Sequence, residues 1–254
     1  MERIDVGGAS LEAFTAGSGR PLLYLHSEDF FEQTKPFLAQ LARKFRVIAP
    51  RHPGFGQSPR GEFRNVDDLA YHYLDLLERL ELKDAVVVGS SLGGWIALEA
   101  AVRSCERIGH LVLIGATGVK FGGREERSFQ DIFGSSDEAV RGWLFADPER
   151  WIPDYGKLPP EAVESIVSDR QAAAFYGWRP YMHNPTLKRW LHRVSAPSLV
   201  LWGEKDGFAT TDYAKQLAGA LPNSVLRIVR NAGHYPQIEQ LDETVGALES
   251  FVRA

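Results

Sequence analysis

The chain has 254 residues, 44% hydrophobic and 24% charged, an ordinary globular balance that excludes disorder and low complexity. A net charge of −4, from 29 basic and 33 acidic residues, excludes a nucleic-acid surface built on clustered Lys and Arg. One cysteine, Cys105, can form neither an internal disulfide nor a thiolate zinc site by itself, which points to a reducing, cytoplasmic compartment. The first ten residues carry no basic stretch followed by an apolar run, so no signal peptide is expected. The apolar runs are strand-sized, well short of the roughly 18–20 residues of a membrane span.

Taken in chain order, short β-rich runs alternate with helical patterns. Residues 2–6 and 11–15 flank Gly7-Gly8 and predict a hairpin. A strand over 22–26 precedes a helical pattern over 31–43. A strand over 45–49 precedes an amphipathic helix over 66–80. Residues 85–89 are apolar throughout, as expected of a strand buried on both faces, and a helix over 92–103 follows. The next strand is 111–114. After a long interval come strand 198–202, helix 210–220, strand 225–229 and helix 241–253. This alternation predicts an α/β fold with a mostly parallel sheet covered on both faces.

The interval 117–194 breaks the rhythm. Its patterns are helical, as over 161–175 and 186–194, and prolines at 148, 153, 159, 160, 180 and 185 cut it into pieces. Residues 120–195 hold 12 of the chain's 28 aromatic residues, although they are under a third of its length. The expected organisation is therefore a core of 1–116 and 195–254, with a helical cap of 117–194 inserted. The cap's aromatics serve its own small core, the lining of a substrate pocket, or both.

One motif carries chemistry. Gly89-Ser90-Ser91-Leu92-Gly93-Gly94 fits Gly-x-Ser-x-Gly with Ser91 central, directly after an apolar strand and before a helix. That context would hold Ser91 on a tight, strained turn with its hydroxyl beside a helix N-terminus. A serine hydroxyl needs a base, and the base needs an orienter. His234, in Asn231-Ala232-Gly233-His234-Tyr235-Pro236, follows a strand and so falls at the sheet edge where ligands bind in open α/β folds. His26 and His52 also stand at strand ends and are its rivals; His72, His110, His183 and His192 are less well placed. Asp206, just past the 198–202 strand, is the expected acid, with Glu204 as runner-up.

These residues, together with Pro53-Gly54-Phe55-Gly56-Gln57-Ser58, resemble the α/β-hydrolase fold superfamily over nearly the whole chain, in its lid-bearing type. That type includes serine carboxylesterases and hydrolases of carbon–carbon bonds in ring-cleavage products. The resemblance implies a Ser91–His234–Asp206 triad and an oxyanion hole formed by the backbone N–H groups of Glu28 and Leu92. Two departures stand out. Leu25-His26-Ser27-Glu28 has serine where the family has glycine after the histidine, and Arg51-His52 occupies the stretch where the family has an aspartate. A Glu28 side chain facing the pocket would disfavour anionic substrates.

The expected function is cofactor-free serine hydrolysis of a small ester, thioester or lactone with an apolar portion. Hydrolysis of a carbon–carbon bond with the same residues is the alternative, with Arg170 and Arg179 as candidate partners of a substrate carboxylate, and a ligand-sensing protein on the same fold is a third reading. No metal site, P-loop or dinucleotide fingerprint is present in the sequence. The expected partner is a small-molecule substrate rather than nucleic acid or membrane, with homo-oligomerisation left open.

Overall fold

The computed structural model describes residues 1–123 and 125–253. Eight strands form one sheet: β1 (Glu2–Val6), β2 (Ala9–Ala16), β3 (Arg20–Leu25), β4 (Phe45–Pro50), β5 (Ala85–Ser90), β6 (Ile108–Ile114), β7 (Ser198–Gly203) and β8 (Ser224–Val229). Their order is β1-β2-β4-β3-β5-β6-β7-β8. β1, β2 and β4 pair antiparallel, the first two through the expected hairpin, with Val6 opposite Ala9; every later pairing is parallel.

The parallel part is continuously apolar because both of its faces are covered. β5 shows this residue by residue. Ala85 and Val87 join one core cluster, Val86 and Val88 the other, as the two-residue strand period requires. The first cluster packs the sheet against α2 (Val66–Arg79), α3 (Leu92–Arg103) and α7 (Thr211–Ala220), through Tyr73, Leu76, Ile96, Ala97, Ala214 and Leu217. The second packs it against α1 (Phe31–Leu41) and α9 (Leu241–Arg253), through Phe37, Leu38, Val245 and Leu248. Helix starts carry their own signals. Asn65 accepts from Asp68 N–H and Thr210 from Tyr213 N–H, satisfying donors that the first turn leaves free.

Between β6 and β7 the chain forms α4 (Asp137–Leu144), α5 (Pro148–Trp151), α6 (Pro160–Gly177) and two 3₁₀ turns, Tyr155–Lys157 and Leu187–Arg193. The helix expected over 186–194 is thus a tighter 3₁₀ turn. α4, with Ser136 accepting from Ala139 N–H, and the short α5 were not anticipated. Another short helix, α8 (Pro236–Glu239), follows the His234 loop. Among the described residues, no helix is long and apolar enough to cross a membrane.

Candidate active site

The parallel strands all end on one edge of the sheet, and the candidate site residues follow those ends. Ser91 follows β5, Asp206 follows β7 and His234 follows β8. Ser91 has φ 49° and ψ −112°, a strained left-handed conformation for a residue with a side chain. Its neighbours must be small for the turn to close. A Cβ on Gly93 would stand 2.0 Å from the Leu25 carbonyl oxygen, and one on Gly89 would stand 2.4 Å from that of Gly93. The Gly-x-Ser-x-Gly spacing is therefore a packing requirement here.

Three side chains meet at this edge. His234 Nε2 lies 2.9 Å from Ser91 Oγ, and His234 Nδ1 lies 2.7 Å from Asp206 Oδ2. The other Asp206 oxygen accepts from the backbone N–H groups of Phe208 and Ala209, both at 2.9 Å, which fixes the carboxylate plane. Ser91 and His234 are fully buried. Burial opposes a charge on the imidazole, yet the Asp206 carboxylate, its hydrogen bond and the nearby Glu28 carboxylate outweigh it and raise the His234 pKa above its ordinary value. Glu204, the rival acid, is exposed and accepts instead from Asn231 N–H at 3.2 Å.

The rival histidines have other partners. His26 and His52 stack with ring centroids 3.8 Å apart. His52 N–H donates to His26 Nε2 at 2.8 Å, so His26 carries its proton on Nδ1 and donates to the Ser27 carbonyl at 2.6 Å. His52 Nε2 donates to the His26 carbonyl at 2.9 Å, leaving Nδ1 to accept from Tyr73 Oη. Both rings are buried and neutral: desolvation holds His26 well below its ordinary range and pushes His52 down to about 3. The pair ties the loop after β3 to the loop after β4. His110 lies beside Arg20, His183 Nδ1 beside the Tyr181 carbonyl, and His72 packs edge-on to Phe63.

The loop after β3 is where the sequence departs from the pattern it resembles. Ser27 is not in the left-handed region; the positive φ, 64°, falls on Phe30. Ser27 Oγ donates to the Asp29 carbonyl at 2.5 Å and closes the turn. The Glu28 side chain, 4% exposed, turns inward. Its Oε2 lies 3.4 Å from Leu92 N–H, and its Oε1 accepts from Tyr235 Oη at 2.6 Å. Leu92 N–H thus faces the Glu28 carboxylate. Tyr235 was overlooked in sequence, although it stands beside His234.

Arg51, in the stretch where the resemblance implies an aspartate, reaches the 117–194 segment. It forms a buried ion pair with Asp169 of α6, whose other oxygen accepts from Gly56 N–H at 2.8 Å. Arg170, next in α6, pairs with Asp29 at 2.8 Å. Its charge is therefore already balanced, and Arg179 is exposed. A cavity of about 450 Å³ lies between α6, α4 and the loop after β3. Its wall is mostly apolar, with Ile132, Val140, Leu144 and Ile152, and it includes Glu28 and Tyr235. Among the described residues, no group of three or more His, Cys, Asp or Glu side chains could hold a metal ion.

Known proteins share this plan. A model of the alpha/beta hydrolase family matches residues 14–247. The chain is 28% identical to a 2-hydroxy-6-oxo-2,4-heptadienoate hydrolase of Pseudomonas putida, over 98% of this chain and 94% of that one. Its fold is shared with a meta-cleavage product hydrolase from Pseudomonas fluorescens (TM-score 0.79, 22% identity, 100% of this chain and 97% of the other). It is also shared with a thermophilic esterase from Thermogutta terrifontis (TM-score 0.73, 24% identity, 100% and 98%). With strand order, the strand–turn–helix motif and the family match in agreement, the chain belongs to the alpha/beta hydrolase family.

Proposed function

We propose that the protein is a serine hydrolase that cleaves a small, uncharged ester, thioester or lactone with an apolar portion through an acyl-enzyme, with residues 117–194 as its cap. The observation that carries this reading is the unbroken relay Asp206–His234–Ser91, with contacts of 2.7 and 2.9 Å in a fully buried setting. In it, Ser91 Oγ attacks the carbonyl while His234 Nε2 takes its proton, and Asp206 holds the tautomer and stabilises the imidazolium. His234 then returns the proton to the leaving group and later activates the water that releases the acid. Leu92 N–H, at the start of α3, and the Glu28 backbone N–H are the proposed donors to the tetrahedral oxyanion. The apolar cavity suits the non-reacting part of the substrate, and the chemistry asks for no cofactor.

The second reading is carbon–carbon bond hydrolysis, favoured by the name of the Pseudomonas putida relative. Charge weighs against it. A dienoate brings a carboxylate, whereas Arg170 is neutralised by Asp29 and the inward-facing Glu28 is an acid. A panel of p-nitrophenyl esters of graded length, run beside a ring-cleavage dienoate, separates the two. Turnover of the esters with none of the dienoate is expected. Preferred cleavage of the dienoate would overturn the esterase reading.

A further inference from the structure

Glu28 carries a carboxylate that the triad does not use. It is buried, and its two oxygens are unequally satisfied. Oε1 has a short bond from Tyr235, while among the described residues the only hydrogen bond to Oε2 comes from Leu92 N–H at 3.4 Å. A carboxylate has room for about four donors, and a buried acceptor short of them is costly. Among the described residues, the guanidinium groups lining the cavity are engaged elsewhere, Arg170 with Asp29 and Arg141 with Asp137. Glu28 also forms part of the cavity wall, whereas Ser91 is fully buried. A substrate entering the cavity therefore meets Glu28 before it meets the nucleophile.

The carbonyl oxygen of that substrate must take the Leu92 N–H on which Oε2 now rests. Oε2 then loses its weak donor, unless the substrate brings another. Because oxyanion and carboxylate succeed one another at the same N–H, the replacement donor must sit close to the carbonyl. Resting on the acyl-transfer reading above, we propose that Glu28 is a specificity-determining residue whose carboxylate accepts a hydrogen bond from an O–H or N–H on the carbon α to the scissile carbonyl. Preferred substrates are thus esters or lactones with an α-hydroxyl or α-nitrogen donor. A carboxylate at the same position is repelled by the like charge.

Ethyl esters of hexanoic, 2-hydroxyhexanoic and 2-methoxyhexanoic acid, and the half-ester of butylmalonic acid, test this at one chain length. Wild type should favour the hydroxy over the methoxy ester by about 10-fold or more in kcat/KM, since a site with a buried acceptor rejects an analogue lacking the donor. The half-ester should be the poorest of the four. Glu28→Gln keeps an acceptor but removes the charge, so it should retain the hydroxyl preference and gain on the half-ester. Glu28→Leu should lose both discriminations; if it fails to fold, the Gln variant still decides through the half-ester. Equal wild-type rates on the hydroxy and methoxy esters, or unchanged ratios in Glu28→Leu or for the half-ester in Glu28→Gln, would overturn the proposal while leaving the triad reading intact. A wild type that hydrolyses none of the four and is not labelled at Ser91 by a fluorophosphonate would overturn the acyl-transfer reading, and this one with it.

Discussion

The C-terminal edge of the sheet and the 117–194 segment reach the same cavity by different means. On the sheet edge, Ser91, Asp206 and His234 each stand within a few residues of a strand end, so the ladder that aligns the strands also aligns the side chains. Between β6 and β7, the helices meet that edge through individual polar ties. Two are side-chain ion pairs, Arg51 with Asp169 and Arg170 with Asp29. Others come from the 143–147 stretch. The Trp143 carbonyl accepts from Gly207 N–H at 3.0 Å, and the Leu144 carbonyl from His234 N–H at 2.8 Å. Glu239, from α8, accepts from Ala146, Asp147 and Gly233 N–H together. One stretch of the 117–194 segment is bonded to both the loop after β7 and the loop after β8, so under the proposed function the segment divides into a part that shapes the cavity and a part that braces the relay.

Substitutions can break this division at several points. The largest effect is expected on the sheet edge. Asp206→Asn should lower kcat by at least roughly 10²-fold with the fold intact, because the imidazole loses both its tautomer and its counter-charge. Glu204→Gln should leave kcat nearly unchanged, and the reverse pattern would identify the wrong acid. Next comes the brace. Glu239→Gln weakens three backbone anchors, and it should reduce kcat by about 10-fold for long and short esters alike. A loss confined to long esters would return 143–147 to a purely steric role. Cavity-wall variants should behave oppositely. Ile132→Ala and Val140→Ala are expected to shift the ratio of kcat/KM between long and short esters by about 10-fold. Chain-length profiles that keep their shape would show that the cavity does not hold the acyl group.

A last effect, on stability rather than rate, concerns the stacked histidine pair. Buried and neutral, His26 and His52 bind fewer protons in the fold than in the unfolded chain once the pH drops below the ordinary 6.5. Stability should therefore rise with pH between about 3 and 6.5 and be lost as acid is added, by at most about 1.4 kcal/mol per pH unit for each ring. Urea titrations at about pH 6 and about pH 4.5 should show a shallower pH dependence for His52→Gln than for wild type. Equal slopes would remove His52 from the account.

The same contrast governs what could be read in the sequence. The strand runs, the Gly-x-Ser-x-Gly turn and the Asp206 and His234 loops were legible because local pattern and strand-end position determine them together. The mostly parallel sheet follows from the same alternation, whereas the strand order, with β4 between β2 and β3, does not. Residues 117–194 were legible only as helical. α4 has a single capping serine as its signal, and the 3₁₀ turn at Leu187–Arg193 has the apolar spacing of an ordinary helix. Long-range side-chain partners left no local trace. The Arg51–Asp169 pair joins residues 118 positions apart, and Tyr235 meets Glu28 across 207. Glu28 itself was expected to act through its N–H; that its carboxylate turns inward onto Leu92 depends on a tyrosine from the far end of the chain.

The central claim is that Ser91 is made nucleophilic by His234 and Asp206 acting as one unit. Mass spectrometry of the protein after brief exposure to a small fluorophosphonate addresses it directly. The account predicts one adduct, on Ser91, absent in Ser91→Ala and slowed in His234→Ala by at least roughly 10³-fold. The wild-type labelling rate should increase with pH through a midpoint above the ordinary histidine value of 6.5, because the base must be neutral and its pKa is raised. An adduct on Ser90, or labelling in His234→Ala at the wild-type rate, would contradict it.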